Sequence, residues 1–169
     1  MADNKSKLLS LIKLMKIDPK DLTDSIERNN KNDSYNFNSN FDKRLRIQKI
    51  VYLIEELTKD FNYNFSLYLR GPYSPDLAKE YYSLINEDIK PLKENYLKKE
   101  TINIAKNLDA RENLWLEIAS TIRMMYSNGD ETTAIKRTYD FKSELLTSSN
   151  KGESYVNTVA SEMKMLNLL

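Results

Sequence analysis

Between Ser6 and Ile17 the apolar residues Leu8, Leu11, Ile12 and Met15 recur at helical spacing, with Ser10, Lys13 and Lys16 on the other side, which predicts an amphipathic helix. Asp18-Pro19 reads as a cap and first turn, so a second short helix is expected through Leu22 and Ile26 to about Arg28. The periodicity then stops. Residues 29–40, NNKNDSYNFNSN, hold six Asn and two Ser, whose side chains compete for backbone hydrogen bonds and predict a loop or linker. From Asp42, a suitable cap, to about Asp60 the positions Leu45, Ile50, Val51, Ile54 and Leu57 mark a long helix. The period next changes to two: Phe65, Leu67 and Leu69 alternate with Ser66, Tyr68 and Arg70, a strand pattern that stops at Gly71. Pro72 extends the chain before it, and Ser74-Pro75 reads as N-cap and first position of a helix, with Asp76 suited to its dipole. Leu77, Tyr81, Leu84 and Ile85 form its inward stripe, and it should end near Asn86.

Residues 87–110 mix β-branched residues with lysines around a breaker at Pro91, and a short strand or wing near 89–92 followed by a helix over 95–107 is expected. Leu114, Trp115, Ile118, Ile122 and Met125 mark a strongly apolar helix over 111–127, ended by a Ser-Asn-Gly turn. Asp130 can cap a helix over 131–146 carrying Ala134, Ile135, Tyr139 and Leu145. A loop at 148–152 precedes a last helix with Val156, Val159, Ala160, Met163 and Leu166. The predicted fold class is mainly α with a short β element: a winged-helix-like core, an N-terminal helical hairpin and C-terminal helices. The expected division is a hairpin at 1–28, an Asn-rich linker at 29–41 and a main domain at 42–169. A hairpin of that size cannot bury a core alone, so it must dock, either on its own chain or, across its tether, on a second copy in a homodimer.

Composition narrows the chemistry. The 169 residues suffice for one domain, and the absence of both Cys and His excludes zinc ribbons, iron–sulfur clusters, thiol nucleophiles and every histidine-based triad. The 3 glycines stand isolated, so no phosphate-cradling loop is present and no cofactor is expected. Asp21/Asp24, Glu55/Glu56 and Glu87/Asp88 are the carboxylate pairs on which a metal-assisted hydrolase, the minor alternative, would rest. Adjacent helical side chains diverge by about 100°, which favours a solvated surface instead. With 26 basic and 25 acidic residues the net charge is +1, so no global field draws the chain to nucleic acid. Lys13 and Lys16 interrupt the apolar start, and no long apolar run is available to span a membrane; a cytoplasmic location is the expectation.

Two clusters stand out. Gly71-Pro72-Tyr73-Ser74 has a structural explanation as a strand-to-helix turn, but Tyr73 and Arg70 there also offer an aromatic and cationic face to a protein partner. Lys43, Arg44, Arg46 and Lys49 crowd the first turns of the long helix as predicted, against the preference of the dipole, so local helix stability does not account for them. Lys43, Arg44 and Arg46, with Lys93, Lys98 and Lys99, are the residues for an alternative reading as a DNA-binding regulator. The helix after Ser74 suits a DNA groove poorly, because Asp76 and Glu80 lie along it and Glu87 and Asp88 follow.

The stretch LRIQKIVYLIEELTKDFNYNFSLYLRGPYSPDLAKEYYSL, through Ile47-Gln48-Lys49 with Tyr52 and through Gly71-Pro72-Tyr73-Ser74, resembles the YwgA-like archaeal and bacterial proteins. More distantly it resembles the SocA-like antitoxin group, or Panacea domains. The resemblance implies a helical domain that is not an enzyme and binds a partner protein, either a toxin or a proteolytic machine. The leading expectation is therefore a non-enzymatic regulatory binding protein, with Gln48, Lys49, Tyr52, Arg70, Tyr73 and Ser74 as its contact surface or the scaffold of that surface.

Overall fold

A computed structural model describes residues 2–22, 33–86, 95–126 and 129–169, and among these the chain is mainly helical with one small antiparallel sheet. Helix α1 (Asn4–Leu14) starts where the Asp3 carboxylate accepts the backbone N–H of Ser6 at 2.8 Å, a side-chain cap, and buries Leu8, Leu11 and Ile12 as the stripe predicts. After Lys16, in left-handed backbone, the Asp18 carboxylate accepts the Lys20 N–H and a 3-10 turn follows at Pro19–Leu22. The helix expected to continue to Arg28 lies outside the described residues beyond Leu22.

Helix α2 (Asp33–Thr58) is the axis of the fold. Residues 47–54 are buried without a break, because α4 (Lys99–Asp109), α5 (Asn113–Met125), the 3-10 turn and the sheet all pack around it. Its start corrects the Asn-rich loop: helix runs through residues 33–40. Extending a helix already held by a buried segment gains a hydrogen bond for each residue fixed, which offsets the few tenths of a kcal/mol that each Asn costs, roughly, relative to better helix formers.

The single strand expected at 65–70 is instead the first arm of a hairpin. Strand β1 (Ser66–Tyr68) pairs antiparallel with β2 (Gly71–Tyr73), in the register Ser66↔Tyr73, Leu67↔Pro72 and Tyr68↔Gly71. The reversal is therefore Leu69-Arg70, and Gly71-Pro72-Tyr73 is a strand where a turn was expected. Gly71 has φ +89°, which an L side chain adopts only with strain, and a Cβ there would stand 2.7 Å from the Thr121 hydroxyl. Helix α3 (Pro75–Ser83) begins as the sequence indicates: the Ser74 side chain accepts the Leu77 N–H at 3.3 Å, and Leu77, Tyr81 and Leu84 are buried.

The wing expected near 89–92 lies outside the described residues, and the helix expected from 95 begins at Lys99. In α5 every residue from Trp115 to Ile122 is buried, so it forms a second central helix beside α2, covered on its far side by α6 (Glu131–Phe141) and α8 (Glu153–Met165). The helix expected over 131–146 is broken at Lys142, and α7 (Ser143–Ser148) follows the break. The apolar stripe of α1, with Leu8, Leu11, Ile12 and Met15, joins the core of its own chain. Lys7 pairs with Asp60 at 3.3 Å, and the Ser10 hydroxyl accepts the Tyr96 N–H at 3.1 Å. Among the described residues no helix is long and apolar enough to cross a membrane.

Candidate functional site

The hairpin is seated on a buried polar cluster drawn from three parts of the chain. From α2, Gln48 brackets Ser74: its amide donates to the Ser74 carbonyl at 3.0 Å and its carbonyl oxygen accepts the Ser74 N–H at 2.8 Å. One residue on, Lys49 donates to the Pro72 carbonyl at 2.7 Å, although it is only 1% exposed. From the break after α6, Lys142 donates to the Leu69 carbonyl at 2.9 Å and to Glu117 of α5 at 2.7 Å, while the other oxygen of Glu117 meets Arg70 at 3.4 Å. Two buried ammonium groups thus hold the Leu69 carbonyl in the reversal and the Pro72 carbonyl in β2, and a short hairpin that would be marginal alone becomes fixed to the body. The break at Lys142 coincides with this duty, since its side chain reaches inward to Glu117.

The charges in this cluster do not balance locally. Glu117 faces Lys142, Arg70 and, through space, Lys49. Burial pulls Lys49 down from 10.5 to about 7; Glu117 opposes that, and Lys142 and Arg70 add to it. Burial likewise lowers Lys142, against the favourable hydrogen bond to Glu117. Among the described residues no carboxylate lies within ion-pair distance of Lys49.

Beside the cluster lies a cavity of about 440 Å³. Helix α2 supplies Phe41, Arg44, Leu45, Gln48 and Lys49; the hairpin supplies Tyr68 through Gly71 and Tyr73; α3 supplies Tyr81 and Tyr82. Arg70 lies over the Phe41 ring, 5.5 Å from its centroid, and Tyr68 and Tyr73 meet edge to face at 5.1 Å. The described lining holds three basic side chains and no acidic one. A groove of similar size between α6 and α8 is lined by three acidic side chains, Glu131, Asp140 and Glu153, and one lysine, Lys136, the opposite bias. Of the hairpin residues, Leu67, Tyr68 and Leu69 are exposed to 41%, 49% and 84%, the last two also lining the cavity.

Of the six residues expected at a contact surface, Gln48, Lys49, Tyr52 and Ser74 are buried, so they act as scaffold; Arg70 is exposed and Tyr73 half-buried. Gln48, Lys49, Arg70 and Tyr73 meet at the cavity, whereas Tyr52 turns toward Phe65, 5.2 Å away between ring centroids. For the basic run, the expected opposition to the helix dipole is corrected. Because α2 begins at Asp33, Lys43, Arg44 and Arg46 lie about three turns inside it and oppose no dipole. Lys43 pairs with Asp21 at 2.6 Å, and Arg44 is buried and reaches the Leu22 carbonyl at 3.4 Å. Arg46 donates to the carbonyls of Asp109 and Arg111 and to the Asn113 side chain, all within 2.8 Å. Their partners are tertiary. Lys98 is largely exposed, 3.9 Å from Asp60; Lys99 is exposed; Lys93 lies outside the described residues. Among the described residues no three acidic side chains converge as metal ligands would.

Glu117, Thr121 and Lys142 were missed by sequence reasoning. The available signal was Glu117 itself, an acid inside the apolar run Leu114–Ile122, which a buried helix keeps only with a partner. No protein-family model, no curated protein and no solved structure matches this chain.

Proposed function

We propose that this chain is a non-enzymatic regulatory binding protein of the cytoplasm whose hairpin docks an extended segment of a partner protein. The observation that carries this reading is the exposure of three consecutive large residues, Leu67, Tyr68 and Leu69, on a hairpin whose backbone is held by two buried lysines. A fold gains nothing from Leu69 in water, and a rigid apolar tip loses little entropy on binding. Strand β2 packs against α2 and α5, while β1 is exposed along its length and presents a sheet edge for an added strand. Arg70 beside the tip, with no acid in the described lining, favours acidic residues flanking the apolar anchors of the partner. In this reading the winged-helix-like core expected from the sequence is turned to protein contact. The antitoxin-like or defence-related setting, with a toxin or a proteolytic machine as partner, is supported by the resemblance of residues 45–84.

Peptide display against the full chain tests it, with Leu69→Ser as the comparison. Selection of apolar peptides with acidic flanks, lost on Leu69→Ser while the thermal midpoint stays within that of the unaltered protein, is the expected result. Peptides that bind both forms equally, or no enrichment at all, overturn the proposal. Leu69 is 84% exposed, so its replacement should change stability by no more than about 0.5 kcal/mol.

A further inference from the structure

We infer that the cavity beside the hairpin is a binding site for a small amphiphilic organic anion, an aryl or acyl carboxylate, with its charge between Lys49 and Arg70 and its apolar body among the tyrosines. This goes beyond the docking of a partner on the hairpin tip and stands whether or not that partner exists.

The inference starts from Lys49. A lysine that is 1% exposed, with a neutral carbonyl as its hydrogen-bond acceptor and no carboxylate at ion-pair distance among the described residues, is an arrangement folded chains rarely keep. Glu117, the acid that acts on Lys49 among the described residues, already pairs with Lys142 at 2.7 Å and meets Arg70 at 3.4 Å. A second positive group, Arg70, lines the same cavity with its side chain half in solvent. Among the described residues the site therefore holds more positive than negative charge; burial is what chiefly pulls Lys49 down to about 7, with Glu117 opposing and Lys142 and Arg70 adding to it. An anion in the cavity supplies the missing counter-charge from the open side.

The remaining lining sets the body of the ligand. Phe41, Leu45, Tyr68, Tyr73 and Tyr82 give the cavity mainly aromatic and aliphatic walls. A volume of about 440 Å³ is within the range that single small molecules occupy, and too apolar a space for free inorganic phosphate to prefer. The Gln48 amide is already bonded to Ser74 through both its nitrogen and its oxygen, so charge is the main feature that selects a ligand at this end.

The test is calorimetric titration of the full chain with 3-phenylpropionate and with octanoate, each against its uncharged alcohol, together with amide shift mapping by nuclear magnetic resonance. Each carboxylate should bind at least about 10-fold more tightly than its alcohol, with shifts centred on Gly71, Lys49 and Tyr68. Arg70→Gln keeps the fold because that side chain is half exposed. It should remove about 10-fold of carboxylate affinity and leave the alcohol unchanged. Lys49→Met should act in the same direction; if that buried change unfolds the chain, Arg70→Gln alone decides. Alcohols that match the carboxylates, shifts centred elsewhere, or no binding of either carboxylate at millimolar concentration overturn the inference. Leu67→Ser, which removes an exposed anchor of partner docking at a residue outside the cavity lining, should leave carboxylate affinity intact, so failure of one reading is distinguishable from failure of the other.

Discussion

Lys49→Met removes the buried ammonium and leaves a side chain of similar length in its place. A lysine displaced from 10.5 to about 7 reflects an electrostatic cost on the order of 4 to 5 kcal/mol for keeping it charged in the fold. Between those two values the unfolded chain binds more protons than the native one, so stability rises with pH, and it does so by at most about 1.4 kcal/mol for each pH step per proton. The rise has an upper limit. Burial raises the Tyr52 and Tyr63 phenols, so above about pH 10 the unfolded tyrosines ionise first and stability turns down. Against the relieved cost stands the Pro72 carbonyl, which loses its 2.7 Å donor in the variant. A buried acceptor left alone costs about 1 to 3 kcal/mol. The variant should therefore be more stable than the unaltered protein by on the order of 2 kcal/mol near pH 7, and the advantage should vanish toward about pH 9.5, where the cost of releasing the Lys49 proton on folding has fallen to the size of the lost Pro72 hydrogen bond. Urea titrations at several pH values with an unchanged slope give these differences directly. Parallel stability–pH profiles for the two would refute the reasoning, because they would mean that Lys49 is not the group being neutralised.

Three further outcomes follow from other contacts. Gly71→Ala places a side chain on left-handed backbone with its Cβ 2.7 Å from the Thr121 hydroxyl; a loss of about 2 kcal/mol or more is expected, and an unshifted thermal midpoint would contradict the packing of β2 on α5. Arg46→Met breaks the hydrogen bonds that tie α2 to the corner between α4 and α5. It should cost about 2 to 3 kcal/mol by urea titration, whereas Lys99→Gln on the exposed surface should stay within about 0.5; equal effects would return the basic run to a solvated role. For Asp60, burial raises the carboxyl, but the Thr101 hydroxyl, the Lys98 N–H and Lys7 together hold it below its ordinary 3.8. Its contribution is present above that value and is lost as the pH falls below it, so Asp60→Asn should flatten the acid limb of the stability curve, and superimposable acid limbs would count against the site.

The elements that the sequence revealed are those whose burial is a local matter. The stripe Leu8, Leu11, Ile12, Met15 predicted α1, and Ser74-Pro75 with Leu77 and Tyr81 predicted α3, because three- and four-residue spacing and a capping hydroxyl act within one or two turns. The same local logic misread the hairpin. The alternation of Phe65, Leu67 and Leu69 indicated a strand correctly, but a two-residue period cannot say that the chain reverses at Leu69-Arg70, and Leu67 and Leu69 prove exposed. It also misread the Asn-rich segment, where a helix anchored downstream overrides a weak propensity.

By itself, then, the sequence determined the helical class, the register of each buried stripe, and the exclusion of cysteine and histidine chemistry, since all three depend on residue types and short spacings. Only the tertiary structure decided where the charges go. Lys43 and Arg46 find their partners in Asp21 and Asp109, and Lys49 of α2 meets the field of Glu117 and Lys142, which lie far along the chain. Coulomb attraction and desolvation depend on distance and burial in three dimensions, and both change steeply over a few ångströms, so no reading along the chain separates a solvated lysine from one held in the interior.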